Sequence, residues 1–252
     1  MGSLDGRVVL VTRPEEDVQS LADRLRGLGA EAIEAPTIEI LPLDDPSELD
    51  MAVRDLAAGV FDWVSFTSPR AVDAVALRMA VQEVPPPVPA KVAAVGPATT
   101  HRLDELGIPV DLLAHPHTTE ALADSFPPGV GRVLLPRADI APRGLEQRLA
   151  TKGWTPHRIT AYRTRVPAAL PAEAVRALAA GEVDAVCFTS ASTVRGFVTM
   201  AGVVSGPRVV CIGPVTARAA EESGLRVDAI ADPHTIDGLV AALERLLGGE
   251  PT

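Results

Sequence analysis

Residues Lys91–Asp111 read KVAAVGPATTHRLDELGIPVD, and residues Arg208–Asp228 read RVVCIGPVTARAAEESGLRVD. Each begins with a basic residue and a short apolar run, turns at Gly-Pro, carries Thr two places later, and closes through an amphipathic stretch and a Gly to Asp. The correspondence extends outward. FDWVSFTSPRAV (Phe61–Val72) precedes the first stretch as VDAVCFTSASTV (Val183–Val194) precedes the second. HPHTTEALADSF (His115–Phe126) and DPHTIDGLVAAL (Asp232–Leu243) follow them, and far upstream RVVLVTRP (Arg7–Pro14) returns as RVLLPRAD (Arg132–Asp139). Blocks recurring in one order at similar spacing mark an internal duplication.

Every block has one grammar: an apolar run of strand length, a polar Thr/Ser/Gly/Pro turn, then a helix with one apolar face. After Pro14 the apolar residues Val18, Leu21, Ala22, Leu25 and Leu28 keep the 3.6-residue period, and Gly29 supplies a stop. Val72, Val75, Ala76 and Met79 repeat the period after Pro69, as do Leu239, Val240, Leu243, Leu246 and Leu247 near the end. The runs VVLV, WVSF, VAAV, VLL, AVCF and VVCI lack two-residue alternation, which predicts strands covered on both faces in parallel sheets. Pro36–Leu43 and Arg158–Pro167 are extended runs at matching places and read as strands crossing between domains. VPPPVP (Val84–Pro89) joins blocks within one repeat. The expected fold is α/β: two similar parallel-sheet domains joined by two crossing β-strands, with any ligand in the cleft between them.

Composition narrows the function classes. Over 252 residues, 47% are hydrophobic and 22% charged, the balance of a folded globular chain. Met1–Arg7 is followed by an apolar run only of strand length, and no run of apolar residues reaches membrane-spanning length. The expectation is a soluble cytoplasmic protein with no membrane partner. A net charge of −10 argues against nucleic acid as a partner. Lys91 and Lys152 are the only lysines among 23 basic residues; a biased base composition accounts for most of the arginines, and bidentate carboxylate capture is the functional alternative. Cys187 and Cys211 sit in apolar strands as core thiols, and no Cys/His spacing points to metal.

In open α/β sheets ligands bind at the carboxyl ends of the strands. The candidate junctions are therefore Thr12-Arg13-Pro14, Thr67-Ser68-Pro69, Gly96-Pro97-Ala98-Thr99, Pro136-Arg137-Ala138, Thr189-Ser190-Ala191-Ser192 and Gly213-Pro214-Val215-Thr216. Helix N-termini offer unpaired N–H groups and a positive dipole end to anions. Capping alone accounts for any one junction; the set, converging on a cleft edge, points to a polyanion. His117 and His234, at equivalent positions, read as turn residues rather than proton carriers. Tyr162, the only tyrosine, either faces a ligand or packs at the crossing. No phosphate loop, dinucleotide fingerprint or nucleophile elbow is present.

These residues resemble the uroporphyrinogen-III synthase family of tetrapyrrole biosynthesis. The resemblance is carried by VLVTRP at the start, FTS at Phe66–Ser68 and Phe188–Ser190, VGPAT (Val95–Thr99) and IGPVTA (Ile212–Ala217), with LLPRADIAPRGLEQRLATKGW (Leu134–Trp154) and ITAYRT (Ile159–Thr164). It implies interleaved domains: residues 1–38 with 166–252, and 43–160, linked by strands at 36–43 and 158–167. It implies a cyclising hydro-lyase that converts linear hydroxymethylbilane to uroporphyrinogen III, losing water and inverting ring D, with no metal or organic cofactor. The partner expected is that small molecule, with transient contact to the preceding enzyme, hydroxymethylbilane synthase, and the chain is expected to be a monomer. Substrate carboxylates are expected at Thr12, Arg13, Thr67, Ser68, Arg70, Gly96, Thr99, Arg137, Thr189, Ser190, Ser192, Gly213 and Thr216, with Arg143 and Arg195 among the rim arginines. Tyr162 matches the family tyrosine held to assist loss of the hydroxyl. The alternative from another class is a non-catalytic tetrapyrrole- or anion-binding regulator of the same fold.

Overall fold

A computed structural model describes residues 2–86 and 88–248, with backbone alone at 15–18. Val18, expected on the buried face of the first helix, is thus outside the described side chains, and Pro87 of the VPPPVP stretch is outside altogether. Two compact units emerge, Met1–Glu39 with Arg165–Thr252, and Ile40–Thr164.

The first unit opens with β1 (Val8–Val11), α1 (Glu15–Gly27) and β2 (Glu31–Glu34). The chain enters the second through β3 (Glu39–Leu41) and runs α2 (Ser47–Ala57), β4 (Trp63–Phe66), α3 (Pro69–Val81), β5 (Lys91–Ala94) and α4 (Pro97–Glu105). It continues through β6 (Leu112–Leu113), α5 (Thr119–Ser125), β7 (Gly131–Ala138), α6 (Gly144–Thr151) and β8 (Trp154–Arg165). Back in the first unit come α7 (Ala172–Ala180), β9 (Ala185–Phe188), α8 (Ala191–Ala201), β10 (Arg208–Cys211), α9 (Pro214–Glu222), β11 (Ala229–Ile230) and α10 (Ile236–Leu247).

The first sheet has the order β11-β10-β9-β1-β2, and every neighbouring pair is parallel. The second has the order β6-β5-β4-β7-β8-β3, parallel from β6 through β8. Under the sequence repeat β7 corresponds to β1, and β4, β5 and β6 correspond to β9, β10 and β11. With β8 in the place of β2, the five-strand order of the first sheet recurs in the second, which adds β3 at its edge; each sheet combines the head of one copy with the tail of the other. The parallel strands and flanking helices of the sequence reading are what the structure contains.

Carboxylates at strand starts clamp the seams. Asp184 Oδ2 accepts from the Val8 N–H at 2.8 Å, and its repeat equivalent Asp62 Oδ2 accepts from the Arg132 N–H at 2.8 Å. Asp111 and Asp228 do the same for Val92 and Val209, at 2.8 and 2.9 Å. A backbone N–H bonded to a charged acceptor is a strong tie, so these aspartates recur for structural reasons.

Alternation splits each core by face. In the first unit Val9, Val11, Cys187 and Val210 pack with α1 and α10 residues such as Leu21 and Leu243. Leu10, Val186, Phe188 and Cys211 pack with α8 residues, Phe188 meeting Phe197 edge-on at 5.4 Å between ring centroids. In the second unit Trp63, Phe126 and Trp154 anchor one face and Val64, Phe66 and Leu134 the other. Burial pushes the Cys187 thiol far up and, with the Glu221 charge, the Cys211 thiol up to about 12. Among the described residues no helix is long and apolar enough to cross a membrane.

Gly196 of α8 is a close approach between elements: a Cβ there would lie 2.1 Å from the Thr37 carbonyl oxygen. Thr37 Oγ1 in turn lies 3.1 and 2.8 Å from the carbonyl oxygens of Thr12 and Thr193, either of which can accept its one proton. Gly196→Ala should therefore lower stability by about 1–3 kcal/mol through overpacking, read as a lower urea midpoint. An unchanged midpoint would mean that the Thr37 segment yields freely.

Candidate functional site

Because the strands run parallel, all β–α turns of a unit end at one edge of its sheet. At that edge of the second unit, Ser68 caps α3, its Oγ accepting from the Ala71 N–H at 3.3 Å, with Pro69 opening the helix. The Tyr162 hydroxyl lies 3.2 Å from the same Ser68 Oγ. β8 carries Tyr162 past a bulge: Arg137 pairs with Thr160, but Ala138 pairs with Tyr162. The phenol is half-buried and rests on the core formed with α2 and α3. The structure thus sets Tyr162 beside a helix cap at the strand-end edge. Thr67 and Arg70 flank it, both half-buried.

After β5, Gly96 caps α4 in an extended conformation with no side-chain cap, and Pro97 follows. Thr99 is 3% exposed, so its hydroxyl is inside while the first-turn amides carry the edge. After β6, His117 Nδ1 is 2.8 Å from the Ala114 carbonyl oxygen and Thr118 caps α5. His234 Nδ1 makes the equivalent contact with the Ala231 oxygen at 2.7 Å, so both histidines serve the turn.

The first unit repeats this edge. Gly213 caps α9 without a side-chain bond, Pro214 follows, and Thr216 is buried. Ser190 caps α8 through a capping box with Thr193, and its Oγ lies 2.9 Å from Ser192 Oγ. Thr189 beside it is half-buried. Thr12 is fully buried and donates its hydroxyl to the Cys187 carbonyl at 2.6 Å, a tie between β1 and β9 that commits this side chain to the sheet. Arg13 next to it is half-buried. Arg143 and Arg195 are exposed, at the start of α6 and on α8.

The sequence reading missed Arg158 and Glu146. Arg158 donates to the carbonyls of Ala141, Ala138 and Asp139 at 2.8, 3.0 and 3.2 Å and to Glu146 Oε1 at 3.1 Å, pinning the loop from β7 to α6. A glutamate in the first turn of a helix and an arginine on the next strand gave a weak signal, since both types are common there. Arg137 is 4% exposed, and burial holds its guanidinium below the ordinary value; Glu146 and Tyr162 oppose that shift and Arg158 adds to it. Two Gly-Pro helix starts without side-chain caps, two Ser caps and a buried arginine make edges suited to several separate anionic groups.

The chain matches the family model described as uroporphyrinogen-III synthase HemD over residues 19–241. It is 34% identical to the uroporphyrinogen-III synthase of Synechococcus elongatus, covering 96% of each chain. It is 30% identical to the uroporphyrinogen-III synthase of Chlorobaculum parvum, over 92% of this chain and 95% of that one. Among solved structures, a mutant uroporphyrinogen III synthase of Thermus thermophilus aligns over 97% of this chain and 100% of its own, with a TM-score of 0.75 at 22% identity. The Helicobacter pylori uroporphyrinogen-III synthetase aligns over 95% and 99%, with a TM-score of 0.58 at 17% identity. At those identities the structures speak for the fold, and the sequence matches speak for the family. The chain belongs to the uroporphyrinogen-III synthase family.

Proposed function

We infer that the activity is the family's: uroporphyrinogen-III synthesis, a cyclising lyase step of tetrapyrrole biosynthesis. The substrate in this reading is hydroxymethylbilane, a flexible polyacid, closed with loss of water and inversion of ring D. The observation that supports it beyond family membership is the repeated edge. Each unit gathers a Gly-Pro helix start without a side-chain cap and a Ser-capped helix at the carboxyl ends of one parallel sheet. Anions spread along a flexible chain are met by such dispersed amides better than by one basic cluster. Holding that chain in one shape is the larger part of the task, because closure without rearrangement is the competing outcome.

The proposed substrate contacts are the amides at Gly96 and Gly213 and the side chains of Arg13, Thr67, Ser68, Arg70, Arg137, Thr189, Ser190 and Ser192. For Thr99 and Thr216 only the backbone is proposed, since their hydroxyls are buried, and Thr12 contributes by fixing the strand that precedes Arg13. Tyr162 is the proposed acid. As the C–O bond of the hydroxymethyl group breaks, pyrrole nitrogen donates electron density and the phenol proton passes to the departing oxygen, giving water. Ser68 Oγ, 3.2 Å away at the N-terminus of α3, meets the charge left on the phenol oxygen. No cofactor is assigned in this reading.

Enzymatically generated hydroxymethylbilane, incubated with the pure protein and oxidised, should give the type III isomer; type I alone would refute the synthase reading and leave the binding-only alternative. Tyr162→Phe should lower kcat by about tenfold to a hundredfold, toward the low end of general-acid effects; unchanged kcat would make the phenol structural. Ser68→Ala should cost about 0.5–2 kcal/mol of stability as a lost cap. In the Tyr162→Phe background it should lower kcat no further, whereas additive losses would separate Ser68 from the phenol.

A further inference from the structure

One cation of the second unit is poorly matched by its surroundings. Arg137 lies on β7 in step with Val133 and Leu135, whose face packs against α5 and α6. Its side chain is 4% exposed, yet Nε and Nη1 meet no hydrogen-bond acceptor among the described residues. Glu146 Oε1 is 3.8 Å from Nη1, outside hydrogen-bond range, and already accepts from Arg158 at 3.1 Å. Glu146 Oε2 has no donor either, so burial has not drawn the pair together. Two guanidinium groups thus surround one carboxylate, leaving one positive charge unbalanced. A buried cation held this way is costly to the fold unless an anion completes it.

Arg137 also lines a small cavity of about 60 Å³ with Thr119, Pro142, Gly144, Leu145 and Arg148. Gly144 and Leu145 open α6, whose N-cap Arg143 makes no side-chain capping bond, so first-turn amides bound the space. Arg148 lies one turn further along, paired with Asp124 at 2.9 Å. The one acid in the wall is Glu120, which is exposed and accepts from Thr119 Oγ1 at 3.3 Å. The space has room for a few water molecules, which suits a carboxylate and its methylene but not an aromatic ring.

We propose that this cavity is an anion subsite that takes a single side-chain carboxylate of the tetrapyrrole, with Arg137 as principal donor and the start of α6 behind it. The proposal rests on the tetrapyrrole reading and deepens it: among the candidate arginines it names the one the fold holds buried for a ligand. It also gives a reason for retaining an awkward buried charge, since a residue kept for binding is one the fold tolerates rather than needs.

The probe is uroporphyrin, which carries the eight carboxylates in an unreactive ring. Arg137→Met should weaken uroporphyrin binding by about tenfold to a hundredfold, the loss of a charge-assisted bond, with an unchanged or higher urea midpoint. Arg137→Lys, which keeps the charge but not the planar fork, should recover part of the affinity. Unchanged affinity in Arg137→Met overturns the proposal. If that variant fails to fold, the wild-type protein decides: the Arg137 Nε–H resonance should move on saturation with uroporphyrin, and a stationary resonance overturns the subsite. Movement with sulfate and none with uroporphyrin would assign it to small free anions and also overturn the proposal. Type III product from a protein whose Arg137 ignores uroporphyrin rejects the subsite alone, whereas a responsive Arg137 without type III product rejects the synthase reading alone.

Discussion

Val8 hands its backbone N–H to Asp184, Arg132 hands its own to Asp62, and both bonds tie the head of one sequence copy to the tail of the other. The arrangement of each sheet follows from these seams. β1 is an interior strand only because β9 lies beside it, and β7 only because β4 does. Buried on both faces and bonded on both edges, such strands carry unbroken apolar runs. The side-chain clamps add a charged acceptor where register is set, and a one-residue slip would carry Val9 and Leu10 to each other's faces.

With the strands fixed in parallel, the chemistry at their carboxyl ends is a matter of how each following helix begins. Ser68 and Ser190 close their helices with a side chain, whereas Gly96 and Gly213 leave first-turn amides without one. The glycines allow near approach by a ligand, and the prolines after them remove a donor that would have had no partner in the helix. The threonines that follow, Thr99 and Thr216, turn inward. A motif such as Gly-Pro-X-Thr therefore divides its work: backbone outward, hydroxyl inward.

The duplication, the buried strands and most of the turns are legible because each leaves a periodic trace; Pro136-Arg137-Ala138, expected as a turn, instead continues β7, because pairing with β8 carries the strand past the apolar run. The short edge strands β2, β6 and β11 are not legible, since two to four residues at an edge carry too little apolar signal. β8 was read from Arg158, but it begins at Trp154: Thr155, Pro156 and His157 look like a turn, and only pairing along β7 makes them strand. α2 does leave a trace, since Leu49, Ala52, Val53 and Leu56 keep the helical period. At the site, residue type marked Ser68 and Tyr162 as candidates but could not bring them within 3.2 Å, because that depends on a bulge between β7 and β8. Thr12 is the opposite case, a polar residue in a promising turn whose hydroxyl is bonded to the neighbouring strand, which residue type alone does not reveal.

The exchange of halves also sets the order in which the molecule can be assembled at the ribosome. Everything in the second unit, Ile40–Thr164, is contiguous, so its sheet is available for completion while the last third of the chain is still being made. β1 emerges first yet has no β9 to pair with until residue 188 has been synthesised. At translation rates of about 5–20 residues per second the wait is on the order of ten seconds or more. Throughout it Val8–Val11 is an apolar strand with an unpaired edge, the kind of segment that invites aggregation. In the finished sheet Val9, Leu10 and Val11 are fully buried, so a strand that waits long for its partner ends inside the core.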